Sequence, residues 1–189
     1  MPSLPAKAAL IVIDVQKAID HPSWGVRNNP GAESNIARLL ARWRAANAPI
    51  YHIRHDSKEP NSTYRPGQPG NAFKEVARPL DGEPVIVKRV QSAFIGTDLE
   101  ARLRKHEQDT LVIAGVITNN SVEATVRTAN NLGFDVYLVE DACFTFGKRD
   151  WHGRDRTADE VHAMSLANLN GEYCAVVTTD EIIRLFDDQ

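Results

Sequence analysis

Residues 112–127, VIAGVITNNSVEATVR, hold the change from strand to helix on which the predicted fold depends. The apolar, β-branched run at residues 110–114 is typical of a strand buried on both faces, as strands of parallel sheets are. Gly115 and the polar residues after it end this strand, and helical periodicity begins near Ser121. The stretch therefore predicts a strand, a turn and a helix of an α/β protein.

The same alternation of strand and helix recurs along the chain. Further strands are predicted in five more apolar runs, at residues 8–13, 49–53, 85–87, 135–139 and 174–177. Apolar residues three or four apart predict helices at residues 32–46, 97–105, 121–132 and 155–169. We therefore expect one domain over residues 1–189, a three-layer α-β-α structure around a doubly wound, mostly parallel six-stranded sheet. Residues 21–30 and 61–71 lack a period and are predicted loops.

The amino-acid composition indicates which kind of molecule the protein binds. Lys and Arg total 22 against 25 acidic residues, for a formal net charge of −3, and no long run of either sign points to nucleic acid or a membrane surface. No apolar stretch approaches the roughly 20 residues that span a bilayer, and residues 1–7 are too polar to begin a secretory signal. We expect a cytoplasmic protein with a small-molecule substrate. Cys143 and Cys174 lie outside any CxxC pair and are predicted to be buried structural thiols.

Polar residues that could take part in a reaction follow three of the predicted strands. Ligands of parallel sheets bind beyond such strand ends. Asp14 follows the first strand and could act as a general base, and Lys88 ends another strand and could hold a carboxylate ionised. Ser121 begins a helix, where backbone N–H groups can bind an oxyanion. Each residue alone also fits an ordinary role: a turn residue, a solvated lysine and a helix cap. Together, the three predict a reaction site.

Four blocks of sequence carry a resemblance to a known family. They are IVIDVQ at 11–16, VIVKRVQSAFIGTDLEARLR at 85–104, GVITNNSVEATVRTANNLGFDVYLVEDAC at 115–143 and AVVTTDEII at 175–183. In this order they resemble the isochorismatase-like cysteine hydrolases, over about residues 8–186. Members of that family are three-layer α/β proteins, usually oligomeric, and most hydrolyse C–N bonds of amides, ureas or carbamoyl compounds.

The resemblance implies a role for each strand-end residue. Asp14 matches the general base, Lys88 its cationic partner and position 121 the nucleophilic cysteine. It also implies a non-proline cis peptide at Val116-Ile117, which turns the N–H groups of Ile117 and Ser121 toward a substrate carbonyl oxygen. Thr118 matches a position that often helps to hold the substrate. A homodimer or homotetramer that uses no cofactor is the expected form.

Serine at position 121 departs from the family pattern, because a hydroxyl is a far poorer nucleophile than a thiol. Three interpretations are open. The first, which we favour, is that serine replaces a natural cysteine and gives an inactive, substrate-trapping form. The second is an isochorismatase-type cleavage of a vinyl ether by acid chemistry from Asp14, which needs no covalent intermediate. The third is a small-molecule-binding relative that has lost catalysis.

The sequence favours no metal site. His52 and His55 lie in one predicted strand, where residues three apart point to opposite faces, whereas nicotinamidase relatives use an Asp with two His here. His52 is therefore predicted to be a core residue.

Five residues near the predicted mouth are candidate substrate contacts, and a guanidinium there could clamp a carboxylate. They are Trp24, Arg27, Arg54, Gln91 and Phe94. Each has an equally plausible structural role, as an exposed arginine or as helix packing.

Overall fold

The computed structural model describes residues 4–188. Within this range the strands are β1 Ala9–Ile13, β2 Ile50–His55, β3 Val85–Lys88, β4 Thr110–Val116, β5 Asp135–Phe144, β6 Lys148–Arg149, β7 Asp155–Arg156 and β8 Ala175–Val177. The α-helices are α1 Ala32–Ala45, α2 Leu99–Lys105, α3 Glu123–Asn131, α4 Ala158–Leu169 and α5 Thr179–Asp187. None of the helices in this range is both long and apolar enough to cross a bilayer.

Six strands form one sheet in the order β3-β2-β1-β4-β5-β8, and every neighbouring pair is parallel. The short antiparallel pair β6 and β7 stands apart from it. Strand order runs outward in both directions from the centre, so β1 and β4 are neighbours that belong to the two halves of the sheet. This arrangement confirms the predicted doubly wound sheet, and its switch point lies between the carboxyl ends of β1 and β4.

Helices cover both faces of the sheet, which confirms the three-layer architecture. One apolar core joins residues of α2, α3 and α4 to the sheet face that carries Ile11 and Ile113. The other joins α1 and α5 to the face that carries Leu10 and Val112. Because side chains alternate along a strand, one apolar run supplies both cores, and such runs have few polar positions.

Gly115 is required where β1 and β4 pack side by side. Its φ is +125°, and a Cβ there would lie 2.2 Å from the carbonyl oxygen of Ile13. The register between β4 and β5 also shifts between Ile113 and Gly115, which indicates a bulge. A glycine accepts both the backbone conformation and the close approach. It therefore lets the end of β4 lie directly against the end of β1.

Among the predicted helices and the strands of the main sheet, α5, β5 and α4 differ most from the sequence prediction. Helix α5 was not predicted, although Thr178 and Glu181 form the capping box that begins it. Strand β5 continues five residues beyond the predicted end at 139, through the polar pair Glu140 and Asp141. Helix α4 begins at Ala158 instead of 155, because Asp155–Arg156 pairs in the β6–β7 hairpin.

Candidate active site

Asp14 follows the last residue of β1 and is 4% exposed. Its φ of +54° lies in the left-handed region, which is uncommon for a residue with a Cβ. The backbone is held there by the N–H of Asp14, which donates to the carbonyl of Ile53 at 3.0 Å. Conformations of this kind persist where the surrounding structure fixes them, and they concentrate at functional sites.

Lys88 brings the three predicted site residues together. Its side chain is fully buried, and its Nζ lies 2.6 Å from Asp14 Oδ2 and 3.1 Å from Ser121 Oγ. The same ammonium donates to the carbonyl of Val90 at 3.2 Å and lies 3.4 Å from Nδ1 of His55. One buried cation therefore contacts the carboxylate and the hydroxyl that the sequence placed at separate strand ends.

The carboxyl group of Asp14 is only partly satisfied. Burial raises its pKa, while the Lys88 ammonium and the Ser121 hydroxyl oppose this effect without cancelling it. Its Oδ2 contacts Lys88, whereas its buried Oδ1 has no hydrogen-bond partner within residues 4–188. A carboxyl group with a raised pKa and an unoccupied oxygen can exchange a proton with a bound molecule.

Ser121 lies in a π-helical turn, Thr118–Val122, that precedes α3. The Val116-Ile117 peptide bond just before the turn is cis, which confirms the geometry implied by the resemblance. The N–H of Ile117 donates no hydrogen bond to any group in the described part of the chain. The helix prediction at 121–132 was two residues early, since α3 begins at Glu123.

A small cavity of about 120 Å³ opens at these strand ends. Its walls come from β1, β2, β4, the π-helical turn, both predicted loops and the segment after β3. The lining residues are Asp14, Trp24, His55, Ser62, Tyr64, Gln91, Val116, Ile117, Asn120 and Ser121. The structure thus places Trp24 and Gln91, two of the predicted substrate contacts, at the same cavity as Asp14 and Ser121.

The two predicted arginine contacts do not line this cavity. Both guanidinium groups are ion-paired, Arg54 with Asp56 at 3.0 Å and Arg27 with Glu33 at 3.0 Å. The guanidinium of Arg27 also lies over the ring of Phe144, 4.2 Å from its centre. Because each guanidinium is held by a neighbouring carboxylate, neither can clamp a substrate in this arrangement.

Phe94 and Thr118 also lie away from the cavity. Phe94 is buried in the core and packs on Phe134, with 5.6 Å between the ring centres. Thr118 is fully buried, and its Oγ1 lies 2.9 Å from Nδ1 of His162. Their apolar and hydrogen-bonding capacity is used inside the protein, so their predicted contact with substrate is not supported.

Sequence reasoning missed His55 and Tyr64 as cavity residues. The amide of Asn71 donates to the carbonyls of both, at 3.1 Å and 2.9 Å, and thereby holds the 61–71 loop against the end of β2. Burial and the nearby Lys88 charge lower the pKa of His55 to about 4, so its ring is neutral near pH 7. The position of His55 at a strand end was a usable signal, whereas Tyr64 depends on a loop conformation.

The histidines of β2 point in opposite directions, as their spacing predicted. His52 is fully buried and lies 2.8 Å from Glu83, while His55 faces the cavity. The pair therefore does not fit a metal site of the kind that nicotinamidase relatives use. Residues 4–188 contain no group of three or more His, Cys, Asp or Glu side chains arranged to hold a metal ion.

Both cysteines are buried away from the cavity, as predicted. Burial raises the pKa of both thiols, that of Cys174 to about 12. Such thiols are unreactive at neutral pH, so neither cysteine provides a nucleophilic thiol at the cavity.

Comparison with known proteins places this geometry in a family. The isochorismatase domain model matches residues 8–181. The chain belongs to the isochorismatase family. The isochorismatase family protein YrdC of Bacillus subtilis is 44% identical over 180 residues, which cover 95% of this chain and 96% of YrdC. A crystal structure of an isochorismatase-family hydrolase from Chromobacterium violaceum is 60% identical and superposes with a TM-score of 0.97, over 100% of this chain and 98% of that one.

A more distant relative has a stated activity in its name. Nicotinamidase 3 of Arabidopsis thaliana is 27% identical over 190 residues, covering 94% of this chain and 87% of the plant protein. The family therefore includes amide hydrolases.

Proposed function

We propose that the chain is a hydrolase of a C–N bond in a small amide, ureido or carbamoyl compound. One observation carries the proposal: the buried Lys88 ammonium contacts both Asp14 and Ser121 beside a small cavity. A carboxylate, a cation and a hydroxyl group at one cavity provide a proton acceptor, its stabilising charge and a position for a nucleophile. The amidase named among the relatives supports the same reaction class.

The proposed reaction proceeds through an acyl intermediate. Asp14 accepts the proton of the group at position 121, which attacks the carbonyl carbon of the substrate, and Lys88 holds Asp14 ionised before that transfer. The oxyanion is bound by the N–H groups of Ile117 and Ser121. The C–N bond then breaks, and the leaving nitrogen takes the proton from Asp14. A water molecule, deprotonated by the same carboxylate, attacks the acyl carbon, the bond to the group at position 121 breaks, and Asp14 returns its proton to that group as the carboxylic acid leaves.

Serine at position 121 limits this chemistry. A thiol has an ordinary pKa of about 8.5, far below that of a hydroxyl, so Asp14 can ionise it much more readily. We propose that Ser121 occupies the place of a nucleophilic cysteine, and that the chain with serine binds substrate but turns it over at a rate near zero. Asp14, Lys88 and the backbone donors are unaffected by this difference.

The first experiment compares the unmodified chain with Ser121→Cys. Ammonia release is measured across small amides, ureas and carbamoyl acids, with and without chelator. Ser92→Cys is the matched control, because Ser92 is also buried but its hydroxyl donates to Thr128 outside the cavity. We expect ammonia from Ser121→Cys alone.

Other outcomes would redirect the assignment. Turnover by the unmodified chain at the rate of Ser121→Cys would refute the substrate-trapping role of serine. If no form releases ammonia, amide hydrolysis is wrong, and cleavage of isochorismate by the unmodified chain would favour the vinyl ether reaction.

A further inference from the structure

The charge of the cavity lining is unusual for a site that binds a small polar molecule. Among the lining residues, Asp14 carries the only Asp, Glu, Lys or Arg side chain that the described part of the chain provides. His55 is neutral near pH 7 because its pKa is about 4, and burial raises the pKa of Tyr64 well above its ordinary value of 10.0. The described lining therefore holds one carboxyl group and no Lys or Arg side chain.

Three cations near the strand ends, Lys88, Arg54 and Arg27, are already engaged. Lys88 lies behind the lining, and its three N–H donors have the carboxylate, hydroxyl and carbonyl partners described above. Arg54 directs Nε and Nη2 at the two oxygens of Asp56. Arg27 directs Nη1 and Nη2 at the two oxygens of Glu33. A bound carboxylate would therefore have to displace an existing contact of one of these three groups to gain that group as a counter-ion.

The remaining lining groups suit an uncharged polar ligand. Gln91 and Asn120, whose side chains are amides, and Ser62, whose side chain is a hydroxyl, line the cavity. Such groups donate to and accept from a neutral amide, but they do not compensate an anion that is taken out of water beside Asp14. Two carboxylates in one small site also raise each other's pKa, which disfavours the ionised form of either.

The lining also contains the aromatic residues Trp24 and Tyr64. Trp24 packs on Phe146, with 5.6 Å between ring centres, and meets Tyr64 edge-on at 6.5 Å. The indole N–H donates to the carbonyl of Ala18 at 3.0 Å, so the ring has no donor left for a ligand. A cavity of about 120 Å³ is also small beside the roughly 300–1,000 Å³ typical of sites for drug-sized ligands.

We infer that the site selects a small uncharged amide with a flat or apolar body and rejects amides that carry a carboxylate. This inference rests on the proposed hydrolysis of a C–N bond. It concerns the charge of the part of the substrate that does not react. It therefore separates simple amides from carbamoyl and amide acids within the proposed reaction class.

The test uses matched substrates that share the reacting amide and differ in one carboxylate. Benzamide is paired with 4-carbamoylbenzoate, and propionamide with succinamate, and kcat/KM for ammonia release by Ser121→Cys is measured for each. We expect the uncharged member to be preferred by about 30-fold or more, since an unpaired buried charge costs at least 2 kcal/mol. Equal turnover, or preference for the anion, would overturn the inference.

A second variant tests the cause of the preference. Gln91→Arg, made in the Ser121→Cys background, adds a cation to a lining that otherwise holds no Lys or Arg side chain within residues 4–188. We expect it to reduce the ratio of kcat/KM between the uncharged and anionic members by at least about tenfold, because it supplies the missing counter-ion. A ratio that stays the same in Gln91→Arg contradicts the electrostatic explanation.

Binding to the unmodified chain separates this inference from the proposed reaction. Calorimetric titration with both members of each pair needs no turnover. Tighter binding of the uncharged member with no ammonia from Ser121→Cys would refute the reaction and keep the selectivity. Ammonia release without a preference in kcat/KM or Kd would refute the selectivity and keep the reaction. Failure of all four compounds to bind would overturn the inference.

Discussion

Two charged clusters lie toward opposite ends of β2. They contain similar residues, but their carboxyl groups differ in hydrogen bonding and in the direction of their pKa shifts. The Glu83 cluster, formed by Arg44, His52 and Glu83, sits at the amino end of the strand. The Asp14 cluster, formed by Asp14, Lys88, His55 and Ser121, sits at the carboxyl end. Each has a carboxylate, a cation and a neutral histidine, so residue type alone does not distinguish them.

The difference lies in how fully each carboxylate is hydrogen-bonded. Both oxygens of Glu83 have partners: Arg44 contacts each of them, and the N–H of Leu80 and the His52 ring contact Oε2. These donors lower the pKa of Glu83 to about 2. Asp14 has one unpartnered oxygen within residues 4–188 and a raised pKa. A satisfied carboxylate stabilises the fold, whereas a partly satisfied one is available for chemistry.

The two clusters therefore contribute to stability with opposite dependence on pH. Glu83, with a lowered pKa, stabilises the fold above its ordinary pKa of 4.5, and this contribution is lost as pH falls toward about 2. Asp14, with a raised pKa, favours the folded state below its ordinary pKa of 3.8, and this contribution is lost as pH rises through the raised value. The Glu83 cluster stabilises the ionised form of its carboxyl group, whereas burial in the Asp14 cluster disfavours the ionised form.

The largest expected effect comes from Asp14→Asn in the Ser121→Cys background. Removing the proposed general base is expected to lower kcat/KM by about 10²- to 10⁴-fold, the usual contribution of general acid–base catalysis. Glu83→Gln in the same background is the matched control, because it neutralises the other carboxylate. Ammonia release from the preferred amide is measured for both, and circular dichroism checks that both are folded. A similar loss of activity in the two variants would mean that the comparison between the clusters fails.

The second-largest effect is expected from Glu83→Gln, on the free energy of unfolding. Glu83→Gln removes the charge that Arg44 and His52 contact, and we expect it to lower the free energy of unfolding at pH 7 by about 1–2 kcal/mol, allowing for solvent screening. The difference from the unmodified chain is expected to shrink as pH falls below 4.5. Urea denaturation at several pH values measures it. A difference that stays constant down to pH 3 would contradict the assigned pKa shift.

The comparison also shows what the sequence could predict. Six strands were predicted because buried parallel strands are continuous apolar runs, a local property. Asp14, Lys88 and Ser121 were predicted because each ends such a strand or begins the helix after it, and the topology then brings strand ends together. Even the missed helix α5 has a local signal, the Thr178 to Glu181 capping box.

The remaining site residues depend on contacts between distant segments. Tyr64 reaches the cavity only because Asn71 holds its loop against β2. Arg54 is ion-paired because Asp56 accepts from its Nε and Nη2, and nothing in the local sequence ranks that pairing above contact with a substrate. Such pairings are decided by tertiary distances, which periodicity and residue type do not give.

The smallest effect is expected from replacing Arg54, and it tests whether this ion-paired arginine contributes to substrate binding or turnover. Arg54→Gln removes a guanidinium that is ion-paired outside the cavity lining, so we expect kcat/KM for an uncharged amide to change by less than about threefold in the Ser121→Cys background. Arg54→Lys is the matched control, because it keeps the charge but loses the two-point contact with Asp56. Steady-state kinetics with benzamide and 4-carbamoylbenzoate measures both. If Arg54→Gln instead raised KM at least tenfold for the anionic amide alone, Arg54 would turn toward substrate during binding, and the separation between ion-paired arginines and the site would be wrong.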